Sequence, residues 1–96
     1  KAADIRAKEV ALKFSHERPD GTMCFTAFEE IGVSYYSAGE NIAKGYGTPE
    51  IVMNAWMNSP GHKANILNPN FTHIIVGYDE DSNSWVQLFL GNPYTE

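Results

Sequence analysis

Ninety-six residues, 43% hydrophobic and 20% charged, describe one folded domain rather than two, with a real but modest core. Twelve carboxylates against seven Lys and Arg leave a net charge of -5, which argues against a nucleic-acid groove and against simple adhesion to an anionic membrane; Arg6, Lys8, Lys13 and Arg18 are interspersed with acids. The single cysteine, Cys24, excludes an internal disulfide and a multi-cysteine zinc framework, and no apolar run is long enough for a membrane span.

The first residues, KAADIRAKEV, read as a helix already under way. They have neither a Met start nor the apolar core of a leader, so either a leader has been removed or the chain is a fragment, and the fragment is the favoured reading. From Ala3 to Phe14, apolar residues at Ala3, Ala7, Val10, Ala11 and Phe14 form one helical stripe. Asp4 with Lys8, and Glu9 with Lys13, place opposite charges four apart on the outer side. Pro19 cannot continue this helix, and Arg18-Pro19-Asp20-Gly21 reads as a turn. Cys24, between Met23 and Phe25, reads as a small buried hydrophobe. Thr26 to Ile31 predicts a short helix, with Thr26 and Glu29 as a capping box and Gly32 closing it.

Val33 to Ile42 reads as extended, with Gly39 interrupting it, and 44–47 as a loop. Thr48-Pro49-Glu50 is a helix start: a cap, a proline whose missing donor costs nothing, and an acid in the first turn. Val52, Ala55 and Trp56 share one face. Ser59-Pro60 repeats the signal, predicting a second helix through Leu67 with Ser59 spent on capping. Thr72 to Tyr78 alternates, with Ile74, Val76 and Tyr78 on one side and His73 on the other, towards solvent. Trp85 to Leu90 completes an antiparallel hairpin. Helices first and strands late predict an α+β domain.

His16, Glu40 and His62 stand out as polar residues fixed between structure signals. Neutral imidazoles from separate segments can bind a divalent ion, and a carboxylate can complete or orient the set. The same groups can transfer protons near neutral pH. His62 lies near the start of a helix, which disfavours imidazolium. Asn41 reads as a residue that hydrogen-bonds loop backbone. Trp56, Trp85 and Phe89 read as core or groove walls, and Tyr35, Tyr36, Tyr46, Tyr78 and Tyr94 suit a cleft for sugars, peptides or lipid headgroups. GxSxG and a phosphate-cradling loop are absent.

The run GENIAKGYGTPEIVMNAWMNSPGHKANILNPNFTHIIVGY, followed by WVQLF and preceded by RAKEVALKFSHERPDG, closely resembles the bacterial branch of the CAP superfamily. That superfamily unites cysteine-rich secretory proteins, antigen 5 and plant pathogenesis-related 1 proteins, also called the SCP domain. The resemblance implies an α-β-α sandwich around a central antiparallel sheet. It also implies an open cleft whose histidines and acids bind zinc or another divalent ion in several members. By motif the cleft residues are His16, Glu40 and His62, with Asn41 beside them; His16 and His62 are the metal candidates. A second glutamate found in many eukaryotic relatives corresponds here to Ser59. Residues 1–96 match about the last two-thirds of the usual domain, so an exposed apolar groove or a pairing partner is expected where a preceding helix would lie.

Two functions follow from the resemblance. The first is a secreted or cell-surface binding module for a peptide, lipid or glycan. The alternative is a divalent-metal-dependent hydrolase or peptidase, in which His16 and His62 hold the ion and Glu40 activates water or orients the ligands.

Overall fold

The computed structural model describes residues 2–92 and 94–95. Helix α1 (Ala2–Leu12) leads through a turn to α2 (Thr26–Glu30). Strands β1 (Val33–Ser34) and β2 (Ser37–Lys44) come next, followed by helices α3 (Pro49–Met57) and α4 (Pro60–Ile66). Strands β3 (His73–Asp79), β4 (Ser84–Gly91) and β5 (Tyr94–Thr95) complete the order.

A three-stranded antiparallel sheet runs β2-β4-β3, and β1 pairs separately with β5. Every residue of the central β4 is buried, because helices cover it from both sides. Antiparallel pairing places Ile42, Val86, Leu88 and Leu90 on one face, against Ala3, Ala7 and Val10 of α1 and Ala27 and Phe28 of α2. The opposite face carries Ala43 and Trp85, packed with Val52 and Trp56 of α3. The result is the expected α+β layering, helix on sheet on helix.

The proline-marked helix starts form where local chemistry puts them. Thr48 accepts a hydrogen bond from the Ile51 amide at 3.2 Å, and Pro49 takes the first helical position. Gly32 follows α2 with φ +75°, a conformation that costs a glycine little. The capping box predicted for Thr26 is absent. Phe25 occupies the cap position, while the Thr26 hydroxyl donates to the Met23 carbonyl and accepts from Arg18.

Several expectations are corrected by tertiary packing. The stripe of α1 consists of Ala3, Arg6, Ala7 and Val10, all buried, whereas Phe14 lies beyond the helix and is 58% exposed. Glu9 turns to Arg6 and Arg18 instead of Lys13, which pairs with Glu17. The single extended segment 33–42 is two strands in two sheets, parted at Tyr35, whose ring packs edge-on to Phe25 and Phe28 at 6.3 and 5.6 Å. Gly39 does not interrupt β2. A Cβ there would sit 2.9 Å from the Phe71 ring, so the missing side chain is what lets that ring approach the sheet.

Strand β3 shows its faces the other way round. Ile75 packs on the α1 core, while Ile74 and Val76 are 51% and 56% exposed and Tyr78 is also exposed. The cause is Gly77, where a Cβ would collide with the Ala3 carbonyl: α1 can lie on β3 only across the face that carries the glycine. His73 shares that face but sits exposed at its end, its ring bonded to the Thr72 hydroxyl at 2.8 Å.

Strand β2 is an edge strand, and its edge is covered by side chains. The Gly45 amide bonds Asn83 O, so the odd positions of β2 bond to β4 and the even carbonyls turn outward. Glu40 O accepts from Asn65 of α4 at 3.3 Å, and Ile42 O from the Trp56 indole at 3.3 Å. These two bonds occupy outward carbonyls that another strand would need in order to pair at 40–42.

Candidate functional site

Alternation along β2 sends Glu40 to the α1 face and Asn41 to the α4 face, and the site is built on that divergence. Glu40 has its side chain 1% exposed and would be costly there unless paired. Its partner is Arg6, fully buried in the apolar stripe of α1. The guanidinium donates from Nε to Glu40 Oε2 at 2.7 Å and from Nη2 to Oε1 at 3.0 Å, a two-pronged contact. Its remaining reach goes to Glu9 at 3.0 Å and to the Ser15 carbonyl at 2.9 Å. Burial pulls the Arg6 pKa down, but the bonds to Glu40 and Glu9 more than reverse this and hold it raised.

The Ser15 contact matters because it anchors the residue before His16. His16 Nδ1 lies 2.8 Å from Glu40 Oε1, with the ring half exposed. A carboxylate can only accept, so the ring hydrogen belongs on Nδ1 and the neutral ring keeps its lone pair on Nε2. A neighbouring network braces the segment: Arg18 bonds both Glu9 oxygens and also Glu30. The Glu9 and Glu30 hydrogen bonds raise the Arg18 pKa. Burial alone would push the Glu9 carboxyl up, but hydrogen bonds from Arg18 and Arg6 outweigh it and keep it below the ordinary range.

On the other side, Asn41 is fully buried. Its amide donates to the His62 carbonyl and to Gln87 Oε1, both at 3.1 Å, and its oxygen accepts from Asn65 at 2.9 Å. Asn41 therefore pins α4 to the sheet through its side chain. Ser59 makes no side-chain cap; its hydroxyl lies 2.8 Å from His62 Nδ1. Where the resemblance implies a second glutamate, a neutral hydroxyl holds the ring instead.

His16, Glu40, Asn41, Ser59, His62 and Asn65 line one open recess of 290 Å³. The structure thus brings together His16, Glu40, Asn41 and His62 and leaves His73 elsewhere, at the end of β3. Tyr46 lines an adjoining recess of 270 Å³; the side chain of Tyr94 is outside the described residues. The sequence reading missed Arg6, Arg18, Asn65 and the role of Ser59. Arg6 had a signal: it falls three after Ala3 and four before Val10, inside the apolar stripe, where a charge demands a buried partner.

The donor set does not fit a zinc site with three protein ligands. His16 and His62 offer one imidazole nitrogen each, and both Glu40 oxygens accept from Arg6, one of them facing the His16 ring as well. Among the described residues no group of three or more His, Cys, Asp and Glu side chains is placed to hold a metal ion. Glu40 acts as an orienting group for His16 and is badly placed to activate water.

Comparison with known proteins gives a consistent result. Residues 1–91 match the family model described as CAP, the cysteine-rich secretory protein family. The chain is 53% identical over 90 residues to the Bacillus subtilis protein YkwD, covering 90% of this chain and 35% of that one. It is 38% identical over 66 residues to the Bacillus subtilis membrane protein YlbC, covering 69% of this chain and 19% of that one. The crystal structure of an extracellular protein containing an SCP domain from Bacillus anthracis superposes with a TM-score of 0.86 at 31% identity, over 95% of this chain and 30% of that one. The chain thus spans about a third or less of the length of each of these proteins. No helix among the described residues is long and apolar enough to cross a membrane.

Proposed function

The chain belongs to the cysteine-rich secretory protein (CAP) family, and on that premise we propose that it is an extracellular or cell-surface binding module whose ligand sits between His16 and His62. The similarity to an extracellular SCP-domain protein supports the location. The observation that carries the binding reading is the commitment of Glu40. The carboxylate is buried, both its oxygens already accept from Arg6 and one also faces the His16 ring, so neither is free to meet a water or a ligand in the recess. What remains open to the recess is a pair of imidazoles, His16 exposed and His62 half-buried, each held by a hydrogen bond and suited to hydrogen bonding with a peptide, lipid headgroup or glycan.

Imidazole-selective NMR tests this. Short peptides, oligosaccharides and phosphocholine are added in turn to the protein and to the His16→Ala/His62→Ala double variant. The reading expects at least one class to move both ring signals, with its binding lost in the double variant. Zinc calorimetry on the same pair addresses the metallohydrolase reading. Stoichiometric zinc binding that disappears in the double variant, together with peptide hydrolysis that disappears with it, would overturn the non-catalytic assignment.

A further inference from the structure

The recess between His16 and His62 is not isolated. Ser59 and His62 are walls of it and also of the 270 Å³ recess on their other side, which is lined by Phe14, Tyr46, Ala55 and Trp56 with Lys44. Each recess alone is smaller than the roughly 300–1,000 Å³ usual for small-molecule sites, and the two together fall within it.

Their chemistry differs in a way that defines an occupant. Among the described residues the lining of the aromatic recess has no carboxylate, although the chain carries a net charge of -5. The Lys44 ammonium in that lining gives one of its three donors to the Ala11 carbonyl at 3.2 Å. The Phe14 ring at its rim is 58% exposed, while Trp56, 3% exposed, is fixed by its indole bond to Ile42 O. The polar recess offers the opposite: His16 turns Nδ1 to Glu40 and leaves Nε2 to the recess, an acceptor in the neutral form of the ring, and the Asn65 amide hydrogens are spent on Glu40 O and Asn41. The matching ligand carries an apolar group and an anion side by side, with a hydrogen-bond donor next to them.

We propose that the joined recesses bind the C-terminal residue of a peptide. Its apolar side chain lies against Tyr46 and Trp56, its carboxylate meets Lys44, and its amide N–H reaches His16 across His62. This deepens the binding-module reading and rests on it.

The test is calorimetry with three peptides: acetyl-Ala-Ala-Phe as the free acid, the same peptide as its C-terminal amide, and acetyl-Ala-Ala-Gly as the free acid. The free Phe acid should bind best. The amide should be about three- to fivefold weaker, the size of a solvent-exposed ion pair. The Gly peptide should be about tenfold weaker or more, from the lost apolar contact. Lys44→Met should abolish the acid-over-amide preference and leave the Phe preference. Ala55→Leu, which fills the aromatic recess, should do the reverse.

Equal binding of acid and amide, or preferences unchanged in both variants, would overturn the proposal. So would decanoate binding as tightly as the Phe acid, which would make the ligand a fatty acid. Failure of every peptide to bind, while other compounds still move the His16 and His62 ring signals, would overturn the proposal and leave the binding-module reading standing.

Discussion

Replacing Arg6 by Met removes a fully buried cation and leaves Glu40, with its side chain 1% exposed, without its main counter-charge. Breaking a buried pair from one side costs about 3–5 kcal/mol, because the surviving charge remains out of water. At about 0.05–0.15 kcal/mol per residue, 96 residues give a total stability of roughly 5–14 kcal/mol, so this one change removes a large share of it. With a urea m-value of about 1–1.5 kcal/mol/M, the unfolding midpoint should fall by about 2–5 M. Trp56 and Trp85 fluorescence follows the transition. The companion variant Arg6→Met/Glu40→Met removes both charges and should recover most of the loss, since an apolar pair of similar volume has nothing left to desolvate. An Arg6→Met variant within about 1 kcal/mol of the parent at unchanged m-value would refute the buried-pair argument. A double variant no more stable than the single one would refute it equally.

Four further outcomes are expected. Gly77→Ala places a methyl group on the Ala3 carbonyl and should cost about 1–3 kcal/mol or more by prising α1 off β3, measured by urea unfolding. Glu9 has a depressed pKa, so its contribution is present above the ordinary carboxylate range and lost as pH falls through its lower folded value; Glu9→Gln should flatten the decline of the urea midpoint between about pH 5 and pH 2. Burial pushes the Cys24 thiol up from about 9 to about 12, so it should resist a disulfide reagent at pH 8 until the protein unfolds. The same raised value makes stability decline as pH climbs from about 9 towards 12, a slope that Cys24→Ala should reduce, with the half-buried Tyr35 phenol accounting for part of what is left.

The helix starts at Thr48-Pro49 and Ser59-Pro60, the glycine closing α2 and the β3–β4 hairpin were all legible in the sequence. Each depends on residues within a few positions of one another, whose dihedral preferences and missing donors act before any tertiary contact forms. The family and its layered fold were legible too, because the motifs from Gly39 to Tyr78 are long and contiguous.

Direction and partnership were not legible. β3 carries apolar residues on both faces, so alternation alone could not say which one α1 would cover; Gly77 decides it by giving the helix backbone room. Arg6 and Glu40 are 34 residues apart, and nothing local to either names the other. The amino-acid sequence by itself determined most of the local elements, the family and four of the polar residues that gather in the recess, His16, Glu40, Asn41 and His62. The tertiary structure alone decided that Glu40 belongs to Arg6 and His16 and that Ser59 belongs to His62. A buried charge takes whichever partner packing brings within hydrogen-bond reach, and that distance is set by the sheet and helices together.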